Sequence, residues 1–156
     1  MMNRKILAAG LIAASALVAA GADAHKGATG IVKERMDGMM AMGKALGTVA
    51  DMFKGKTSFN SEQVAAAAKI VEGHAAEMVA LFPDTKASRE GKGTEALPAI
   101  WENKGEFAAL AAALEKKSAE LAIVAASNDQ DQIRRAFGEM AKTCSACHED
   151  YRKAKN

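Results

Sequence analysis

Apolar residues recur every three or four positions along most of this 156-residue chain, which is the spacing of one face of an α-helix. Four such amphipathic segments are separated by turn signals, and no segment alternates apolar and polar residues as a half-buried strand does. The first segment runs over residues 28–54 and ends at Gly55. Its apolar stripe consists of Val32, Met39, Gly43, Leu46, Ala50 and Phe53.

The second segment begins at positions 60–63, whose sequence Asn-Ser-Glu-Gln resembles a capping box, and it closes at Pro83. Its apolar stripe consists of Val64, Ala68, Val71, Ala75, Met78 and Phe82. A longer polar connection, residues 84–99, follows and contains two glycines and a proline. A connection of this length is typical of a chain that crosses over the end of a helical bundle.

Two further segments complete the helical pattern. The third helix is predicted to begin near Ile100 and Trp101. Its stripe consists of Phe107, Leu110, Ala111, Leu114, Ser118, Leu121 and Ala125. The turn at residues 127–129 then provides an N-cap for the fourth helix. The stripe of that helix consists of Ile133, Ala136, Phe137, Met140, Cys144, Cys147 and Tyr151.

These segments predict an all-α domain, an antiparallel four-helix bundle with one longer crossover loop between helices 2 and 3. Short connections within the first and the second pair of helices make each pair antiparallel. The composition agrees, because the chain has only 2 prolines and 4% aromatic residues. The formal net charge is +2, and no basic block or aromatic platform supports nucleic-acid binding.

The N-terminal residues have the pattern of a secretory signal peptide. Two basic residues precede an apolar run at positions 6–18, and the sequence Ala-Asp-Ala at 22–24 provides a cleavage site of small residues. The run is too short to span a bilayer, which argues against an uncleaved anchor helix. We therefore predict a signal peptide over residues 1–24 and an exported, periplasmic domain over residues 25–156.

The predicted fourth helix carries both cysteines of the chain, in the sequence Cys-Ser-Ala-Cys-His at positions 144–148. This spacing is typical of a covalent attachment site for a c-type haem. Cys144 and Cys147 can each add to a haem vinyl group to form a thioether, and His148 then lies beneath the iron as an axial ligand. The three side chains share the helix face that continues the core-facing stripe. The sequence therefore predicts one haem c inside the bundle.

Three other interpretations of the same motif are a thioredoxin-like redox pair, half of a zinc site and a disulfide. A redox pair with this spacing is typical of a βαβ fold, which the helical pattern does not provide. A structural zinc site needs four ligands, and the sequence has no second cluster of cysteines and histidines to supply the other two. Attachment of haem to thiols needs an export route, so the N-terminal pattern of an exported chain supports haem attachment.

Several shorter motifs accompany the haem motif in a characteristic order. They are Arg35 and Lys54-Gly55 in the first helix, Pro98-Ala99-Ile100-Trp101, Arg135-Ala136-Phe137-Gly138 and Tyr151-Arg152-Lys153. With a haem motif on the last helix, this order resembles the class II c-type cytochromes, the cytochrome c′ family, and within it a low-spin, Met-ligated subgroup similar to cytochrome c-556. The similarity spans nearly the whole chain after the signal peptide.

The resemblance implies two states for the second axial face of the iron. In five-coordinate members an apolar residue covers this face, and in the low-spin subgroup a methionine of the first helix binds there. The matching position is Met39, whose thioether is a soft ligand on a flexible side chain. Spacing alone also fits a methionine that only fills the core. Met36 and Met42, on the flanks of the stripe, are alternative ligands.

Arg35 lies one turn before Met39 on the inward stripe, where an unpaired cation would be strongly unfavourable. A haem propionate would provide an anionic partner through a charge-assisted hydrogen bond. The alternative is an arginine that extends to solvent from the margin of the stripe. Arg152, one turn after His148, lies either near the proximal edge of the haem or in solvent at the end of its helix.

The other two histidines are the rival ligands for the iron. His74 flanks the second stripe, where a partly solvated side chain is expected. His25 would be the first residue after signal cleavage. We therefore predict that neither histidine binds the iron.

Two functions follow from these predictions. If His148 and Met39 both bind the iron, the haem is low-spin and the protein is a one-electron carrier, not an enzyme, that docks to periplasmic or membrane-bound redox proteins. If the Met39 side is open, the protein binds nitric oxide or carbon monoxide. Peroxidase chemistry would need a distal His or Arg above the iron, and the first helix offers only Arg35. Homodimers that associate through the first two helices are common in the family that the chain resembles, but the exposed faces of these helices give no decisive apolar patch.

Overall fold

The computed structural model describes residues 27–154. Within this range the helices are, in chain order, α1 (Gly30–Phe53), α2 (Ser61–Glu77), α3 (Lys86–Glu90), α4 (Ala99–Glu102), α5 (Lys104–Ala125) and α6 (Gln130–Tyr151). A 3-10 turn at Met78–Leu81 extends α2. No helix in this part of the chain has the length and hydropathy needed to cross a bilayer. The predicted signal peptide and His25 lie outside the described residues.

The four long helices form the predicted bundle. Helix α2 packs against α1 on one side and α5 on the other, and α5 also packs against α6. Helices α1 and α6 share few close backbone contacts over the described range, so the bundle is open between them. The prediction of an all-α bundle with a crossover between its second and third long helices is confirmed.

The core is built from the stripes predicted for α2, α5 and α6. Fully buried positions include Val64, Val71, Leu121, Ile133 and Met140. Three polar side chains of the described chain also lie among the buried residues, Arg35, Ser88 and Ser118, and Ser118 donates to the carbonyl oxygen of Leu114 at 2.7 Å. The periodic positions of these three helices therefore mark the core correctly.

Helix α1 differs from its predicted stripe. Val32 is buried as predicted, but the other apolar side chains that α1 buries are those of Met42, Ala45, Val49 and Met52. Met39 and Leu46 are only partly buried, and Gly43 is exposed. The predicted stripe therefore does not mark the α2 interface, because α1 has two adjacent apolar faces. One face packs on α2, and the other borders a cavity.

Two helix starts follow from their capping residues. The side chain of Asn60 accepts a hydrogen bond from the backbone N–H of Gln63 at 2.8 Å. The carboxylate of Asp129 accepts from the backbone N–H groups of Asp131 and Gln132, both at 3.0 Å. Each bond satisfies an N–H group that has no partner inside its own helix. Both predicted starts are confirmed.

The crossover is more structured than the polar connection predicted for residues 84–99. It contains the short helix α3, and Ala96 forms an antiparallel bridge with Arg152. A helix begins near Ile100 as predicted, but it is not continuous with the third long helix. A separate turn of helix, α4, comes first, and the backbone of Asn103 (φ −117°, ψ 48°) interrupts the helix before α5 begins at Lys104.

Candidate functional site

A cavity of about 400 Å³ lies between α1 and α6, where these two helices separate. Its floor is apolar and comes from α5, through Phe107, Leu110 and Leu114. Residues 93–96 of the crossover line one edge. The residues that line it from the C-terminal part of the chain are Thr143, Cys144, Cys147, His148, Tyr151 and Arg152.

The haem motif faces this cavity from α6. Cys144, Cys147 and His148 all line it and are all partly buried, as the shared helix face predicted. Burial raises the pKa of the Cys144 thiol, and burial raises that of Cys147 to about 11. A redox-active pair needs thiols of lowered pKa, so these thiols do not have the character of a thioredoxin-like site.

Helix α1 forms the opposite wall with a group of methionines. Met36, Met39, Met40 and Met42 all line the cavity. Met42 is mostly covered by the core, at 8% exposure, and Met40 is 52% exposed at the surface. Met39 lies between these extremes and packs against the core cluster. The structure therefore brings Met39 and His148 to the same cavity from opposite helices.

Arg35 also lines the cavity and is only 6% exposed. Its Nη2 donates to the carbonyl oxygen of Ser88 at 2.8 Å, while Nη1 is buried and has no hydrogen-bond partner among residues 27–154. Burial lowers the pKa of the guanidinium from its ordinary value, and an arginine side chain stays protonated in proteins. The alternative of an arginine that extends to solvent is therefore wrong. An anionic group in the cavity would satisfy Nη1.

Arg152 lies at the cavity edge rather than in open solvent. Its Nε is 3.9 Å from Oε2 of Glu95, and both side chains are about one-third exposed. This Nε has no hydrogen-bond partner within the described range. Glu95 lines the cavity as well, so the crossover and the end of α6 meet there through opposite charges.

His74 does not line the main cavity. It is partly buried on α2 and lies against Gly38 of α1. A Cβ atom added at Gly38 would lie 3.3 Å from Nδ1 of His74. The prediction of a partly solvated side chain is confirmed. The expectation that His74 does not bind the iron stays a prediction.

Sequence reasoning missed the contribution of the crossover to the site. Ser88 and Glu95 lie in a segment without periodicity, so no local pattern marks them as neighbours of the cavity. The second stripe predicts Phe82 as a core residue, and Phe82 also lines the cavity. Its place at the end of that stripe, directly before Pro83, was the one signal that linked it to the crossover.

Comparison with known proteins identifies the family. Residues 30–152 match the family model described as Cytochrome C′. The chain is 32% identical over 120 residues to cytochrome c-556 of Agrobacterium tumefaciens (strain B2A), an alignment that covers 76% of this chain and 94% of that protein. The structure of cytochrome c′ from Rhodopseudomonas palustris has a TM-score of 0.75 at 28% identity and covers 82% of this chain and 99% of its own.

A second solved structure is a nitric oxide complex of a mutant cytochrome c′ from Alcaligenes xylosoxidans. It has a TM-score of 0.69 at 28% identity and covers 80% of this chain and 94% of its own. The chain therefore belongs to the cytochrome c′ family, a family of electron-transfer and gas-binding haem proteins.

The protein carries one haem c, bonded through Cys144 and Cys147. Three features of the structure fit this group. The cavity walls are mainly apolar, the two thiols lie on one wall, and the buried guanidinium of Arg35 has an N–H group without a partner in the described part of the chain. A porphyrin with two propionates needs such a combination of apolar contact and cationic partners.

Proposed function

We propose that this protein is a periplasmic one-electron carrier whose haem is bound axially by His148 and Met39. The observation that carries the proposal is that Met39 and His148 line one cavity from opposite helices. When bound, the haem supplies a one-electron Fe(III)/Fe(II) couple. The signal peptide predicted at residues 1–24 supports a periplasmic location for the domain at residues 25–156.

The side chains of the chain have separate tasks in this proposal. Cys144 and Cys147 fix the porphyrin to α6, and His148 follows them directly and binds the proximal face. The thioether of Met39 binds the opposite face and stabilises the reduced state, which raises the reduction potential. With both axial positions filled by protein, no position is open to a small ligand. This arrangement favours outer-sphere electron transfer to periplasmic or membrane-bound redox proteins.

The surroundings of the site support the same role. Phe107, Leu110 and Leu114 present apolar side chains that exclude water from the cavity floor. Arg35 provides a buried positive charge, and we assign its Nη1 to a haem propionate. A cation held near the iron favours the form with the additional electron, so Arg35 also raises the reduction potential.

Binding of a diatomic gas is the second candidate function. The nitric oxide complex of a related cytochrome c′ favours it, since that protein shares the fold of this chain. Leu46 lies on the same α1 wall as the methionines and could cover an unligated face with an apolar group. In this case Met39 would be a packing residue, and the iron would be open to nitric oxide or carbon monoxide.

An absorption spectrum of the purified ferric protein separates the two functions. We expect a low-spin spectrum that becomes high-spin in Met39→Leu, because leucine keeps the side-chain volume but removes the sulfur. Met40→Leu is the matched control and should remain low-spin, since Met40 is 52% exposed. A high-spin spectrum of the unmutated protein would instead support gas binding. Loss of the low-spin form only in Met36→Leu or Met42→Leu would assign the ligand to that methionine.

A further inference from the structure

The guanidinium of Arg35 is held by groups that lie outside α1. Its Nη2 donates to the carbonyl oxygen of Ser88 at 2.8 Å, and its Cζ lies 4.4 Å from the centroid of the Phe82 ring. The one contact from its own helix, Nε to the carbonyl oxygen of Ile31, is longer at 3.3 Å. The segment between α2 and α5 therefore determines where this cation sits.

Phe82 is itself fixed on two sides. Its ring meets the ring of Phe107 edge to face, with centroids 4.9 Å apart at 68°. Its carbonyl oxygen accepts a hydrogen bond from Nε1 of Trp101 at 3.0 Å. Phe82 lines the cavity beside Arg35, so its ring face is presented to the guanidinium rather than to solvent. This geometry is that of a cation–π pair in a partly desolvated site.

Ser88 is equally constrained. It is fully buried in α3, and its backbone N–H donates to Oγ1 of Thr85, the N-cap residue, at 3.2 Å. Its carbonyl oxygen is therefore a fixed acceptor for Nη2 of Arg35. Ser88 fixes one N–H group of the guanidinium, and the Phe82 ring covers its planar face, so the guanidinium of Arg35 has few orientations left. The N–H groups of Nη1 have no partner in the described residues and can donate hydrogen bonds to a ligand.

We propose that Phe82 is a positioning residue for the haem. Its ring and the Ser88 carbonyl orient Arg35 so that the guanidinium binds a propionate, and Phe82 thereby affects the reduction potential without touching the iron. This inference rests on the assignment of Arg35 to a propionate in the proposed function. It does not depend on whether Met39 binds the iron.

The test is a double-mutant cycle of Phe82→Leu and Arg35→Leu, measured as the midpoint reduction potential of the holoprotein at neutral pH. Arg35→Leu should lower the potential, because the reduced haem loses a nearby cation. Phe82→Leu should lower it by a smaller amount, because Arg35 becomes free to move. In the double variant, Phe82→Leu should cause no further shift.

Two other variants keep the test specific. Phe59→Leu removes a ring that stacks on Phe53, with centroids 6.1 Å apart, and should leave the potential unchanged. Phe82→Tyr keeps the aromatic face and should retain the potential of the unmutated protein. Phe82→Met replaces Phe82→Leu in the cycle if the leucine variant does not fold.

Three results would overturn the proposal: an unchanged potential in Arg35→Leu, an unchanged potential in Phe82→Leu, or shifts that simply add in the double variant. A shift in Phe82→Tyr as large as that in Phe82→Leu would also contradict it. The spin state of the unmutated protein is read from its absorption spectrum. A high-spin result would therefore contradict the carrier role and leave this cycle valid.

Discussion

Gly91 lies where the crossover packs on α1, and no side chain fits at this position. A Cβ atom there would lie 2.7 Å from Cγ2 of Val32 and would also overlap the carbonyl oxygen of Ala87. These two atoms belong to different helices, α1 and α3, so a shift away from one does not relieve both contacts. The φ angle of Gly91 is −56°, so the position requires a small residue rather than an unusual backbone.

We expect Gly91→Ala to lower the free energy of unfolding by about 1 to 3 kcal/mol, because overpacking displaces the crossover. Urea denaturation of the holoprotein measures the change. Gly47→Ala is the matched control, since nothing lies within 4 Å of a Cβ atom there. Alanine in that helix interior should stabilise the protein by about 0.5 to 1 kcal/mol. If Gly91→Ala is as stable as the unmutated protein, the crossover does not pack tightly on α1.

The site residues differ in how far sequence can predict them. Cys144, Cys147 and His148 are contiguous, so a local motif identifies them together. Met39 is harder, because helical spacing gives the face of α1 but four methionines of that segment line the cavity. Choosing among them requires the rotation of α1 against α2, which tertiary packing determines. The assignment to Met39 thus came from the family resemblance and stays a prediction.

At the scale of elements, the crossover is attached to the bundle through Asp84. This carboxylate accepts a hydrogen bond from Nε of Arg89 at 2.6 Å and another from Nζ of Lys104 at 3.2 Å. The guanidinium of Arg89 also lies 4.8 Å from the centroid of the Trp101 ring. The hydrogen bond from Arg89, followed by that from Lys104, lowers the pKa of Asp84 to about 2. The ionised form of Asp84 is therefore favoured in the folded state.

This pKa predicts an acid-dependent contribution to stability. Because the folded pKa lies below the ordinary value near 4, the contribution is complete above that value and is lost as the pH falls toward about 2. We expect Asp84→Asn to reduce the loss of stability between pH 5 and pH 2, as measured by urea unfolding at each pH. Lys104→Gln should cause a smaller change of the same sign. Parallel profiles for Asp84→Asn and the unmutated protein would contradict the prediction.

The crossover also shows why an element can escape sequence analysis. Its backbone pairs with the end of α6. The N–H of Leu97 donates to the carbonyl oxygen of Tyr151 at 3.0 Å, and the N–H of Lys153 donates to the carbonyl oxygen of Glu95 at 2.8 Å. These partners are more than fifty positions apart, so neither has a local signal for the other. Helix α3 has only 5 residues, too few for a periodic pattern.

For the whole molecule, the bundle is closed at one end and open at the other. At the closed end, the rings of Phe53 in α1 and Phe137 in α6 meet edge to face at 5.4 Å, and Cζ of Arg134 lies 4.5 Å from the Phe53 centroid. Further along, α1 and α6 diverge around the cavity. The four stripes predicted a bundle, but this divergence could not be read from them because both apolar faces of α1 look alike in sequence.

The apolar walls of the cavity imply that haem attachment contributes to folding as well as to function. Without the porphyrin, Met39, Leu110 and Leu114 would face an open space of about 400 Å³ instead of a packed neighbour. Apolar side chains that lose a packed neighbour and face water instead cost a fold several kcal/mol. The stability of the bundle should therefore depend on the two thioether bonds that keep the porphyrin in place.

We expect the double variant Cys144→Ser and Cys147→Ser, expressed with an intact haem-attachment system, to lose its colour to acidified organic solvent. Its free energy of unfolding should fall by at least about 3 kcal/mol in urea denaturation. Ser145→Ala is the matched control, because Ser145 is exposed between the two cysteines and should leave both properties unchanged. Colour that resists extraction in the double variant would contradict thioether attachment. Unchanged stability would instead show that α1 and α6 close over the cavity when it is empty.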